Sequence, residues 1–467
     1  MKKHNLFKVV MLTIAFVVLL SWLLPVTYFS NGGLMEEART QVGLFTIMNY
    51  VGIAIQYFSH IGLYVLAIGG FYGVLHKISG YRNLLDKVVS GFKDREWIFM
   101  TVIMVIFAVL SAMAGLSLPL MLLFPFVISV ILLMGYDKIT ATMVTAGSTA
   151  IGLIGSVFSV SNTEGIDIVI GTSADGDALL KILLLVVSLV LLVYNVLSYS
   201  KTHKSTKEVV NNDFAPEVSV NKKQKFWPIV AIIDFMVLIL ILAFVSWDLF
   251  GIKFFATAFS SVTTYEVFGF PILKNVLGLS SAFGSWTLTE LTVVILVFSW
   301  LISFIYKVKF NDYITNFMNG AKRAIKPAVL VVLLYIVLIV TTYVPTLLTV
   351  LKPLLTSTSG MNIFIMALVA FVTCVFSVEL YYGATSVLPY VTGALFTGLV
   401  AKDITILSLI WQSMYGVAML VAPTSVVLMA TLSYLHIPYQ SWLKNIWKLL
   451  LELVVVLLII FTIVSFM

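Results

Sequence analysis

Long apolar stretches alternate along the chain with short polar clusters, and the stretches are marked out by where charge is missing. The longest runs from Trp97 to Tyr136, 40 residues without Asp, Glu, Lys or Arg. A helix crosses a bilayer with about 20 apolar residues, so this run must fold back on itself. The same reading predicts spans at 6–29, 59–76, 97–134 (paired), 139–172 (broken), 178–199, 227–247, 287–306, 327–343, 361–398 (paired), 404–434 (broken) and 446–465.

Two of these spans carry a polar interruption. Ser161-Asn162-Thr163 follows 21 charge-free residues from Thr140 to Val160, and Pro423-Thr424-Ser425 follows the charge-free run Ile404 to Ala422. Backbone unwound at membrane depth loses its helical partners, and lipid cannot replace them. Such a break survives only inside protein or beside a watery cavity. Broken helices at matching places in two halves point to the binding site of a secondary transporter.

Composition sharpens the class. The chain of 467 residues is 61% hydrophobic and 10% charged, with a mean hydropathy of +1.08. That excludes an ordinary soluble domain. The net charge of +7 reads as topology and not as a nucleic-acid footprint. With the N-terminus inside, the segments 1–8, 77–96, 135–138, 200–226, 307–326 and 435–448 hold 22 of the 28 Lys and Arg residues, a positive-inside asymmetry. The expectation is a multi-pass protein of the cell membrane, N-terminus cytoplasmic and C-terminus outside. A retained first span fits the start of the chain better than a cleaved signal peptide, because no small-residue cleavage pattern precedes Asn31. Cys374 is the single cysteine, which leaves no intrachain disulfide or thiolate metal site. A homodimer is compatible with the sequence.

The order of elements suggests an all-α inverted repeat. Residues 1–200 form a first repeat, with an inner hairpin at 97–134 and a broken helix at 139–172. Residues 201–226 are a polar cytoplasmic linker, 227–286 a connecting span and outer loop, and 287–467 a second repeat with an outer hairpin at 361–398 and a broken helix at 404–434. Ser148 and Gly152 precede the first break much as Ser413 and Gly416 precede the second.

Several motifs then resemble a known group. Ile68-Gly69-Gly70-Phe71-Tyr72-Gly73-Val74-Leu75, Phe92-Lys93-Asp94-Arg95-Glu96-Trp97, Gly135-Tyr136-Asp137, Ala422-Pro423-Thr424-Ser425-Val426 and Ile437-Pro438-Tyr439 are similar to the C4-dicarboxylate-carrier-like group of the ion transporter superfamily, some members of which are basic amino acid antiporters. The resemblance implies two re-entrant hairpins and two broken helices enclosing one site. It also implies that Ser161-Asn162-Thr163 matches the tripeptide with which related sodium–carboxylate carriers hold substrate and ions. Two departures stand out. The first hairpin tip, Ala114-Gly115-Leu116-Ser117-Leu118-Pro119, lacks the group's usual acid, and the second, Ser377 to Ser386, carries Glu379.

The candidate substrate and ion ligands are Ser161, Asn162, Thr163, Pro423, Thr424, Ser425, Ser117, Glu379, Tyr381, Thr385 and Ser386. The oxygens of Asn162, Thr163, Thr424 and Ser425 could coordinate sodium, and the half-helix N-termini after the breaks favour an anion. No organic cofactor is expected, with Na+ or H+ as the coupling ion. An intramembrane acid such as Glu379 calls for a proton, a cation or a cationic substrate group as partner. Gly69, Gly70 and Gly73 read as helix packing, and Trp97, Trp227, Trp286, Trp442 and Trp447 as interfacial anchors. No phosphate loop, His/Cys metal set or nucleophile–base pair is present. The leading expectation is an elevator-type transporter of small carboxylated metabolites, ion-coupled or exchanging. The alternatives are an arginine/ornithine-like amino acid antiporter and a non-transport membrane scaffold.

Overall fold

The computed structural model describes residues 5–30, 32–38, 40–157, 166, 169–170, 177–204, 223–278, 281–357, 360–395 and 399–466. Among these residues, eight helices are long and apolar enough to cross a membrane. They are α1 (Asn5–Leu23), α2 (Leu44–Leu75), α4 (Glu96–Ala114), α7 (Ala178–Thr202), α8 (Trp227–Phe244), α11 (Leu288–Ile305), α12 (Phe310–Tyr343) and α18 (Tyr439–Phe466). Between them lie α3 (Ser79–Gly91), α5 (Phe124–Leu133), α6 (Lys138–Ile154), α9 (Phe254–Thr264), α10 (Ile272–Leu277), α13 (Leu347–Leu355), α14 (Ile363–Phe376), α15 (Leu380–Tyr390), α16 (Ala401–Met419) and α17 (Val426–Leu435).

Burial separates two kinds of helix. In α7 the buried positions are Lys181, Leu184, Leu185, Ser188, Leu192, Val196 and Ser200, one stripe at helical spacing with the rest of the surface left to lipid. Every residue of α6 from Ile139 to Ile154 is buried, and so is every residue of α16 from Ile406 to Met419. These two helices are enclosed on all sides, and both stop inside the bundle.

The α2 and α12 helices form the most extensive contact, made on glycine. A Cβ on Gly69 would lie 2.8 Å from the Gly320 carbonyl oxygen, and one on Gly73 would lie 2.6 Å from the Gly320 Cα. Only glycine lets backbones approach that closely. Both helices are longer than expected: α2 begins at Leu44, and α12 begins at Phe310 and continues through Pro327.

The first expected pair bends at Gly115, which closes α4 in the left-handed region at φ 66°. A short 3-10 turn over Pro119–Leu122 leads into α5, and the Phe107 and Phe124 rings stack with centroids 5.6 Å apart. Freed carbonyls at this bend are taken up by α2. The Tyr64 hydroxyl donates to Pro119 at 2.7 Å, and that of Tyr72 to Leu122 at 2.9 Å. The second pair, α14 and α15, bends at Ser377–Glu379.

Two segments differ from the expectation. The end of the first predicted span is an antiparallel β-hairpin, β1 (Val26–Ser30) and β2 (Gly33–Glu37), with Ser30 opposite Gly33. Gly32, at φ 77°, suits such a turn. It is held to α13 by Thr349, whose hydroxyl donates to Thr27 at 2.9 Å, and by a 2.7 Å ion pair between Lys352 and Glu36. Trp442 is fully buried instead of standing at a membrane surface, for a reason given below. At the other end of the bundle Lys204 pairs with Glu96 at 2.9 Å, and that bond holds the Lys204 ammonium above its usual range.

Candidate functional site

The broken helices meet. The α6 helix ends at Ile154 with Gly155 as its cap, earlier than Ser161-Asn162-Thr163, which lies outside the described residues. A helix end leaves its last carbonyls without partners, and here α16 supplies donors. The Gln412 amide donates to the Ser156 carbonyl at 2.7 Å, and the Ser413 hydroxyl to that of Ile154 at 3.3 Å. A Cβ on Gly416 would sit 2.5 Å from the Ile154 nitrogen. The α4 helix closes the other side: the Val157 N–H donates to Ala112 at 3.1 Å, and the Ser111 hydroxyl to Thr149 at 2.8 Å.

One turn along α16 from Gln412, the Tyr415 hydroxyl donates to Val378 at 3.2 Å, in the second bend. A single turn of α16 thus joins the first break to the bend that carries Glu379. The Glu379 carboxylate accepts a 3.2 Å bond from Tyr335 of α12, whose ring stacks on Phe58 at 4.0 Å.

The second break opens at Leu420, where α16 stops, and closes at Ser425, the cap of α17. The start of α18 satisfies its carbonyls. The Trp442 indole N–H donates to Leu420 at 2.8 Å, and the Tyr439 hydroxyl donates to Val421. This is why Trp442 is buried. The Thr424 hydroxyl donates to Val375 at 2.7 Å, pinning the break to the end of α14. Ser425 makes no side-chain cap, so the first-turn N–H groups of α17 remain available.

The sequence candidates separate into groups. Thr424, Ser425 and Glu379 lie around the contact just described. Ser117 is half-buried at the first bend, and Pro423 is half-buried in the second break. Thr385 and Ser386 line a cavity of about 220 Å³ with Ser377, Tyr382, Tyr28 and Phe29. Their hydroxyls are turned onto their own helix, Thr385 to Tyr381 and Ser386 to Gly383, each at 2.8 Å. Tyr381 is exposed.

Two features were missed from sequence. The first is Gln412, 1% exposed, whose Oε1 has no hydrogen-bond partner among the described residues. A polar residue in a charge-free span was the available signal. The second is a cavity of about 300 Å³ between α2, α12, the first bend and α17. Among the described residues its lining includes His76, Lys77, Lys322, Arg323, Lys326 and His436, and no Asp or Glu. The Gly69–Gly73–Gly320 crossing forms one wall. Among the described residues no His/Cys/Asp/Glu group of three is arranged to hold a metal ion.

Comparison with known proteins supplies the family. The model of the C4-dicarboxylate anaerobic carrier family matches residues 4–467. The chain belongs to that family. This C4-dicarboxylate carrier family member is a multi-pass membrane protein of the transporter class and not an enzyme. It is 23% identical over 398 residues, 82% of this chain and 72% of the relative, to YfcC of Escherichia coli (strain K12), provisionally named a basic amino acid antiporter. The family member also overlays on the crystal structure of the Alcanivorax borkumensis YdaH transporter, titled as having an unusual topology. That overlay covers 97% of each chain at 13% identity, with a TM-score of 0.40.

Proposed function

We propose that this protein is a secondary active transporter of small carboxylated anions. The observation that carries the reading is the large cavity, which places Lys77, Lys322, Arg323 and Lys326 around one space whose described lining is basic. A cleft of one sign concentrates solutes of the other, and guanidinium and ammonium groups are the natural partners of carboxylates. The cavity reaches into the bundle beside Ala430, Thr431 and Tyr434 of α17.

The element order supports the inverted-repeat architecture. The series α1, α2, the bend between α4 and α5, α6 and α7 matches α11, α12, the bend between α14 and α15, the broken pair α16–α17, and α18. The α8 helix lies between the series and reverses the second relative to the first. On this reading both bends are re-entrant, and the basic cavity opens to the cytoplasm, where the Lys/Arg-rich segments 77–96 and 307–326 lie. Both termini then fall on opposite sides, and reporter fusions that place them on one side overturn this orientation. The α2–α12 pair would be the fixed scaffold, and the bends with the broken helices would carry solute past it. Ser161, Asn162, Thr163, Thr424 and Ser425 would hold solute or a coupling cation.

Uptake of labelled succinate or fumarate by proteoliposomes tests the function. The expected result is saturable uptake that Lys77→Gln together with Arg323→Gln weakens, and that Asn162→Ala abolishes in a folded protein. Uptake unaffected by these changes overturns the assignment of the residues. A second reading, amino acid exchange, draws on Glu379 beside Tyr335 and on the similarity to YfcC. Exchange of arginine with no response to succinate, lost in Glu379→Gln, favours it over the first.

A further inference from the structure

We propose that the loop between α8 and α11 dips into the bilayer beside those two spans, with Phe268 as an aromatic finger in the lipid and α9 lying along the membrane surface. Such an anchor is independent of the solute carried.

The finger is shaped against ordinary preference. The Val267 N–H donates to the Phe270 carbonyl at 2.9 Å, and the Phe270 N–H to that of Val267 at 3.1 Å. Phe268 and Gly269 are left as a two-residue turn, at φ 52° and 77°. Turns with two positive φ values favour Asn-Gly or Asp-Gly, because a bulky side chain is strained there. Here the strained position carries a phenylalanine that is 97% exposed. Backbone preference and contact with water both argue against that residue, and lipid favours it.

Phe268 has company. Phe254 and Val262 on α9, Tyr265, Phe270, and Leu273 and Val276 on α10 are exposed as well. Exposed apolar side chains gathered in one segment mark a membrane or protein contact. The α9 helix carries Phe254, Phe255, Ala258, Phe259 and Val262 on one face and Thr257, Ser260, Ser261 and Thr264 on the other, the pattern of a helix lying in the interface plane. Its Phe255 ring packs on Trp247 and Phe283, with centroids 5.2 and 6.0 Å apart.

The root of the loop favours lipid over a second protein. The Gly284 and Trp286 N–H groups donate to the Ala243 carbonyl at 2.9 and 3.2 Å, which ties the returning chain to the last turn of α8. Both α8 and α11 are long and apolar enough to cross a membrane, and they expose Phe235, Leu238, Val293 and Val297 along their sides. The loop therefore begins and ends at the membrane boundary, next to lipid-facing surface. Trp247 and Trp286 flank that root, as aromatic residues do at headgroup level. Asp248, Lys253, Glu266 and Lys274 balance in charge, so insertion rests on the rings and requires no anionic lipid.

Site-directed spin labelling of the full-length protein in phosphatidylcholine vesicles tests this. Cys374 is the single cysteine and is fully buried, so a cysteine placed on the surface takes the nitroxide. Labels at Phe268→Cys and Val276→Cys are expected to relax several-fold more with oxygen, which partitions into lipid, than with a water-soluble nickel chelate. A label at Ser260→Cys, on the polar face of α9, is expected to show the reverse. Should Phe268→Cys disturb the turn, Val276→Cys decides, because it keeps the finger. Nickel access at 268 and 276 equal to that at 260 overturns the proposal. Spectral broadening at these positions that vanishes on dilution with unlabelled protein shows a second copy in place of lipid, and also overturns it.

Discussion

The two helix breaks are alike in outline and opposite in how they are held. The second is closed from nearby: Tyr439 and Trp442 cover the carbonyls of Val421 and Leu420 from 18 and 22 positions along the chain. The first is closed from afar, by Gln412 donating to Ser156 across 256 positions. The second break can therefore take shape from nearby chain. The first needs α16 docked against the end of α6, and contacts between distant parts of a chain form more slowly than local ones. The difference assigns structural work to the second break. The first depends on Gln412, whose Oε1 has no hydrogen-bond partner among the described residues.

Substitution can break this contrast. The largest effect is expected at the contact between α6 and α16. Gly416→Leu would force a side chain where Ile154 and Ala150 backbone atoms already lie. Overpacking in a tight core costs about 1–3 kcal/mol and sometimes more. Loss of the monodisperse protein in detergent is the expected readout, and a normal melt would show that α6 and α16 do not depend on this crossing. Next comes Gln412→Leu, which strands the Ser156 carbonyl at a cost of about 1–3 kcal/mol and removes an Oε1 that has no partner among the described residues. Both the melting temperature and solute uptake should fall. Trp442→Phe also strands one carbonyl, that of Leu420, at a similar cost of about 1–3 kcal/mol, yet uptake by the folded protein should persist. Equal losses of uptake in these two variants would erase the contrast. The smallest effect is expected for Tyr335→Phe, which removes the 3.2 Å bond to Glu379. A stability change of about 1 kcal/mol is anticipated, with any change in solute preference reporting on Glu379 alone.

The spans and the second break were legible because charge and proline are strongly placed in apolar chains. The charge-free run to Ala422, followed by Pro423, marks a helix end with local chemistry alone. The first break was legible only in part. The residues from Thr140 to Val160 continue without charge past Gly155, so the eye is drawn to Ser161 while α6 has already stopped at Ile154. Gly155 caps it, and the residues that meet its end, Gly416 and Gln412, are far away in sequence. Lys181 is one of the six Lys and Arg residues outside the cytoplasmic segments, and Trp442 reads as an anchor at the headgroups. Each has a composition-level reading that is sensible for most such residues, and each is overridden by a partner that no local pattern reveals.

The glycine crossing of α2 and α12 has a consequence for the membrane around the protein. At about 1.5 Å per residue, the 32 residues of α2 are about 48 Å long, against a hydrocarbon layer of about 30 Å. A lone helix of excess length relieves the mismatch by leaning over. Two helices locked backbone to backbone at Gly69, Gly73 and Gly320 cannot change their mutual angle without parting. The adjustment falls on the lipid, which must thicken or thin against a stiff cross. Acyl-chain length thereby becomes a variable that acts on the wall of the basic cavity.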